Sequence, residues 1–235
     1  MADHGGLVFD TLEQAVGAGY ELAECYQSDP PWPHAVIRGL WPESLLEGIE
    51  EEFKQDIFHY SHTRYSNKYW IDKPSKIPPI SKAVLDLGNS SLFLSFLEAL
   101  TGICDLHADP LLIGGGMHKH GLGGYLKVHT DFRLHPITGR NRRLNVLLFL
   151  NRDWQESWQG NLELWTPKLD RCWTVRPEWN TTVIFDTTTT SFHGLPKPIE
   201  CPPGVERKSL AWYHYTGNVS LKNAIPTETG WVEVP

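Results

Sequence analysis

In the stretch Gly123-Gly124-Tyr125-Leu126-Lys127-Val128-His129-Thr130-Asp131 a histidine and an aspartate stand two apart, and far downstream comes Ser191-Phe192-His193-Gly194. Successive side chains of an extended strand point to opposite faces, so His129 and Asp131 on one strand share a face. Joined by His193 from another strand, they form a 2-His-1-carboxylate set, which holds Fe(II) and leaves its other coordination positions open. Two of those suit a bidentate oxo acid and the third suits O2. Arg207 follows His193 at a distance that fits one strand, a turn and the next strand. An oxo acid that chelates iron through its keto-carboxylate end presents a second carboxylate, and a guanidinium pairs with such a group in bidentate fashion. Alternation along Arg207-Lys208-Ser209 places Ser209 on the face of Arg207, where its hydroxyl adds a hydrogen bond to the same carboxylate.

The chain has eleven histidines, so the choice among them has to be argued. His107-Ala108-Asp109 is a rival pair, but its aspartate precedes Pro110 and reads as a turn residue. His118 and His120 are also two apart; they sit among glycines without a carboxylate at matching spacing. By strand parity Tyr125 and Lys127 share the face of His129, and Tyr125 either donates its phenol to the cosubstrate or belongs to the core. Asn145 lies in an apolar strand where an unpaired amide is costly, which points to contact with cosubstrate or substrate. Arg133, Arg140, Arg142 and Arg143 follow the metal strand in a loop; a solvated basic loop is favoured over contact with a substrate carboxylate.

The elements that must position these residues change character along the chain. Residues 10–27, 42–53 and 80–100 repeat apolar side chains at helical spacing, and 34–38 reads as a short strand. The aromatic, basic and proline-punctuated segment 58–79 reads as a loop or short strand that covers a pocket. From 111 onward, strands are expected at 111–117, 124–131, 144–150, 161–166, 174–176, 181–186, 191–194 and 208–216. Strands that follow helices, rather than alternate with them, fit a mainly β fold with a helical layer and a jelly-roll core. The expected organisation is one domain over 1–235, with a helical and lid part over 1–110, the jelly-roll core over 111–216 and a C-terminal tail over 217–235.

At these residues the sequence resembles the non-haem Fe(II)/2-oxoglutarate dioxygenases, in their prolyl-4-hydroxylase-like branch. The resemblance is carried by Gly114-Gly-Gly, Gly123-Gly-Tyr-Leu-x-x-His129-x-Asp131-Phe, Arg142-Arg-Leu-Asn-Val-Leu-Leu-Phe-Leu-Asn-x-x-Trp154, Gly160-Asn-Leu-Glu-Leu-Trp, His193-Gly194 and Arg207-x-Ser209, in that order. It implies a double-stranded β-helix (cupin-like) core, iron ligands at His129, Asp131 and His193, and Arg207 on the distal carboxylate of 2-oxoglutarate. It also implies an Fe(II)-dependent reaction of 2-oxoglutarate and O2 that yields succinate and CO2. Related halogenases replace the ligand carboxylate by a small residue; Asp131 is present here, which favours hydroxylation.

Composition narrows the partners. A net charge of −7 argues against a nucleic-acid surface. Neither a basic leader nor an apolar run of membrane-spanning length stands out, so a cytoplasmic protein without a membrane partner is expected. Four widely spaced cysteines read as buried free thiols. The expected substrate is a small molecule, an amino acid or specialised metabolite, with a peptidyl or prolyl side chain as the alternative and a homo-oligomer left open. Two rivals of other classes are a carbohydrate-binding jelly roll that uses its tryptophans and a zinc hydrolase on the same ligands.

Overall fold

Short β-branched and aromatic segments between glycine and proline turns become strands because their side chains pack on a pleated, half-buried surface. The computed structural model describes residues 8–217 and 228–234. The strands are β1 (His34–Arg38), β2 (His59–His62), β3 (Ser66–Ile71), β4 (Leu106–His107), β5 (Gly116–His120), β6 (Tyr125–Thr130) and β7 (Asn141–Phe149). They continue with β8 (Leu162–Trp165), β9 (Cys172–Val175), β10 (Thr181–Asp186), β11 (Phe192–Leu195), β12 (Arg207–Thr216) and β13 (Gly230–Trp231). All pair antiparallel in the order β1-β10-β7-β12-β5-β3-β6-β11-β8-β9, with β2 on β3, β4 on β12 and β13 on β6. The two halves of this sheet face each other across Phe149, Leu162, Leu164, Val183 and Phe185, which gives the jelly-roll barrel.

The outer face of β7 and β12 is closed by four helices: α1 (Leu12–Ser28), α2 (Glu43–Glu52), α3 (Pro79–Gly88) and α4 (Ser91–Thr101). Alternation decides which side chains meet them. Leu144, Val146, Leu148, Leu210 and Trp212 join the helices in one large core, so Asn145, Leu147, Phe149, Ser209 and Ala211 are turned into the barrel. Trp212 stacks on Trp41 at 5.4 Å and donates its indole N–H to Leu85 O, which fixes β12 against the helical layer. The buried Glu52 carboxylate accepts the Ile80 and Ser81 amides and thereby supplies the cap that proline-led α3 lacks.

The structure departs from the sequence expectation in five places. The single helix expected over 80–100 is two, bent by 47°. Ser90 caps the second through an Oγ that accepts the Phe93 amide, and the last residue of the first, Gly88, lies against the Trp212 ring, where a Cβ would not fit. Residues 111–115 are turns, because Asp109 accepts the Leu111 and Ile113 amides and Gly114 and Gly116 have positive φ; the strand starts at Gly116. The segment 58–79 contributes a hairpin whose second strand is an integral part of the barrel wall. Of the expected tail, 218–227 and 235 lie outside the described residues, while Gly230–Trp231 pairs with Thr130 and His129 as part of the sheet. Cys201 is buried as expected, whereas Cys25, Cys104 and Cys172 are exposed.

Candidate metal and oxo-acid site

β6 and β11 run antiparallel with His129 directly opposite His193. The strands approach closely because residue 194 is glycine: a Cβ there would lie 2.8 Å from Leu126 O and 2.9 Å from Lys127 O. Each imidazole donates Nδ1–H to a carbonyl two residues back, His129 to Lys127 O at 2.8 Å and His193 to Ser191 O at 3.0 Å. That fixes the tautomer, so both Nε2 lone pairs are free. They face Asp131 at 3.6 Å (His129 Nε2 to Oδ1) and 3.4 Å (His193 Nε2 to Oδ2). Such separations are long for hydrogen bonds, and all three donor atoms lie within 4.8 Å of one another. Two imidazoles and one carboxylate, the imidazoles buried and all three aimed at one point, fit a divalent cation that takes nitrogen and oxygen ligands.

Asp131 is held from behind. Arg142, buried, reaches its Oδ2 at 3.0 Å, and Asn145 donates Nδ2–H to the same oxygen at 2.7 Å. Arg142 also donates to Asn145 Oδ1 from Nε and Nη2, at 2.9 and 2.6 Å, and its Cζ sits 3.3 Å from the centroid of the Tyr213 ring. Burial alone would raise the carboxyl pKa; Arg142 first, then the two imidazoles, outweigh it and hold Asp131 well below the usual carboxylate range. Burial pushes His193 down to about 4 against the pull of Asp131. Both groups are in ligand form at neutral pH.

From the triad a cavity of about 80 Å³ extends between the two halves of the sheet. Arg207 and Ser209 line it, and both are buried. Arg207 donates Nε–H to Gly160 O at 2.6 Å and lies over the Phe149 ring at 4.7 Å. No carboxylate of the described residues pairs with it, and burial alone lowers its pKa to about 9, so it remains a cation at neutral pH. A buried guanidinium without an anion is costly unless a ligand supplies one.

Two expected site residues stand elsewhere. Tyr125 is not on the cavity wall: half-buried, it donates its phenol to Thr63 O at 2.6 Å. The cause is a bulge, for Leu195 pairs with Leu126 while His193 pairs with His129, so β6 spends one more residue than β11 and strand parity flips. Leu126 takes the inward place instead. Asn145 does line the cavity, but its amide carbonyl is occupied by Arg142 and its N–H by Asp131, so it orients the carboxylate. The basic loop also divides. Arg142 is buried behind Asp131, and Arg143 meets Asp186 at 3.5 Å.

Sequence reasoning missed Lys68, His118 and His120 as wall residues. His118 and His120 were weighed only as metal ligands; cross-strand pairing with Ser209 and Arg207 is what turns them inward. Burial and Lys68 push His118 down to about 3, and burial followed by Arg207 keeps His120 far below its ordinary value. Asp109 is the turn residue expected, paired with His135 at 3.3 Å. The tryptophans offer no exposed platform for sugar among the described residues, since each is buried or half-buried.

A family model described as the 2OG-Fe(II) oxygenase superfamily matches residues 115–215. No curated protein matches the sequence. Among solved structures, a prolyl-4-hydroxylase from Pseudomonas putida is similar at a TM-score of 0.61 and 18% identity, over 85% of this chain and 100% of that one. A Trichoplax adhaerens prolyl hydroxylase, solved with a hypoxia inducible factor peptide fragment, gives a TM-score of 0.61 and 15% identity over 87% of this chain and 91% of that one. HygX from Streptomyces hygroscopicus, solved with nickel and 2-oxoglutarate, gives 0.59 and 11% over 83% and 86%. At these identities the likeness is one of fold.

Proposed function

We infer that this chain, a member of the 2OG-Fe(II) oxygenase superfamily, hydroxylates an unactivated C–H bond of a small molecule, with His129, Asp131 and His193 as iron ligands and Arg207 with Ser209 on the distal carboxylate of 2-oxoglutarate. The observation that carries this reading is one cavity between the two halves of the sheet with three converging donors at one side and, among the described residues, an anion-free guanidinium in its wall. Bound Fe(II) would supply the coordination positions at which 2-oxoglutarate and O2 react, yielding succinate, CO2 and the oxidised product. The protein's part is positional. His129 and His193 aim their Nε2 atoms at the metal position because their Nδ1–H groups are committed to backbone carbonyls. Arg142 and Asn145 hold Asp131 ionised and aimed. Leu126, Leu147, Phe149, Leu162 and Leu195 form the apolar part of the wall, which limits water around the reacting groups.

A small substrate is favoured by the narrowness of the cavity and by HygX, a protein of the same fold solved with hygromycin B bound. Likeness to two prolyl hydroxylases supports a peptidyl substrate as the second reading. Anaerobic addition of 2-oxoglutarate to the Fe(II)-loaded protein is expected to produce a charge-transfer absorption. His193→Ala should remove the absorption, and Arg207→Ala should keep it but raise the 2-oxoglutarate dissociation constant about tenfold or more. An unchanged constant in Arg207→Ala would take that residue out of the role. Screening free amino acids, metabolites and proline-containing peptides for O2-dependent succinate release then separates the two substrate readings.

A further inference from the structure

One cation in the cavity wall has no use in the chemistry described so far. Lys68 belongs to β3, which stands between β5, carrying His118 and His120, and β6, carrying His129. Ser66 and Asn67 pair with β6, whereas Tyr69 and Trp70 pair with β5, so Lys68 sits where the strand passes from one ladder to the other. Its ammonium has neither an ion pair nor a hydrogen bond among the described residues; the Trp70 ring lies 5.7 Å away, and Asp72 and Asp131 act on it only through space. Beside it His120 is buried with both ring nitrogens unpartnered, so the same stretch of wall holds a second polar group that awaits a ligand.

Charge accounting decides what that ligand is. Of the two carboxylates of 2-oxoglutarate, the one beside the keto group belongs to iron and the distal one to Arg207. Fe(II), Arg142, Arg207 and Lys68 together still outweigh Asp131, Asp72 and those two carboxylates. Of these cations only Lys68 is then left without an anion in direct contact. A partly buried ammonium without a counter-charge is unfavourable, and a further carboxylate relieves it.

We propose that Lys68 anchors a carboxylate of the substrate, which makes the substrate class small carboxylic acids, free amino acids among them. The proposal rests on the oxygenase reading given above. The test uses the full chain loaded anaerobically with Fe(II) and 2-oxoglutarate, probed with free L-amino acids and the matching carboxamides. Probe binding is read by calorimetry, and 2-oxoglutarate affinity by the charge-transfer absorption. Wild type should bind at least one free acid about tenfold more tightly than its amide. Lys68→Met should abolish that preference and Lys68→Arg should retain it, while both leave 2-oxoglutarate affinity within about twofold. A large rise in the 2-oxoglutarate dissociation constant in Lys68→Met would instead give Lys68 to the cosubstrate and overturn the proposal. Equal binding of acids and amides by wild type, or no binding of either, would overturn it as well. If the wild-type protein develops no charge-transfer absorption at all, it is the oxygenase reading that fails.

Discussion

Arg142 sets both the charge and the aim of Asp131, and it does so from a position with no exposure to solvent to speak of. Removing the guanidinium leaves a buried carboxylate opposed only by two imidazoles and an amide. Arg142→Met should therefore destabilise the metal-free protein by about 3–5 kcal/mol in urea unfolding and weaken Fe(II) binding about 10- to 100-fold. Arg142→Lys should recover little, because one ammonium cannot serve Asp131 and Asn145 together or stack on Tyr213. Wild-type Fe(II) affinity in Arg142→Met would show that the triad aims itself. The sequence pointed to the triad through residue type and spacing alone, yet it placed Arg142 in a solvated loop. Four arginines in twelve residues look alike on paper; which one is buried depends on where β7 begins, at Asn141, and on Tyr213 arriving from β12 to receive it.

The β6–β11 pair shows what a strand contributes beyond its side chains. Gly194 lets β11 lie so near β6 that His193 and His129 stand opposite each other with ring centroids 4.5 Å apart. Gly194→Ala puts a methyl group against Leu126 O and Lys127 O, both backbone atoms that cannot turn aside. The strands must separate, at a cost of about 1–3 kcal/mol. The expected signature is a lowered melting temperature together with weakened Fe(II) binding in titration; full metal affinity with only a lower melting temperature would mean that the register survives separation. The same pair explains what could be read in advance and what could not. Period-two alternation and turn residues revealed most of the barrel strands, and helical spacing revealed the covering layer. A bulge leaves no trace in alternation, so Tyr125 was turned inward on paper and Leu126 occupies that place in the fold. β3 hid Lys68 for a different reason: its polar, aromatic residues lack the apolar alternation of a wall strand, and its place follows from partners on both sides.

At the scale of the whole molecule, burial of neutral histidines makes stability depend on pH in a defined window. His214 is fully buried, donates Nε2–H to Gly88 O and so joins β12 to the end of α3; burial pushes its pKa down to about 4. His118, in the cavity wall, is pushed down to about 3. Their unfolded values lie near 6.5. Between about 6.5 and 4 the unfolded chain therefore binds protons that the folded chain refuses, and stability must rise with pH through that interval and fall as pH drops. The ionised Asp131 adds nothing here, since its contribution is lost only below the ordinary carboxylate value, as its folded pKa is depressed rather than raised. Each fully titrating histidine contributes a slope of about 1.4 kcal/mol per pH unit, so His214 alone accounts for roughly 3 kcal/mol across its window. Urea midpoints of the metal-free protein, measured from pH 8 to pH 4, should be flat above about 7 and decline steeply below 6.5. In His214→Gln, which can still donate to Gly88 O but does not titrate, the decline should be shallower by about one proton's worth of slope. Parallel curves for the two proteins would mean that His214 takes up a proton in the folded state, against its burial between the sheet and the helical layer.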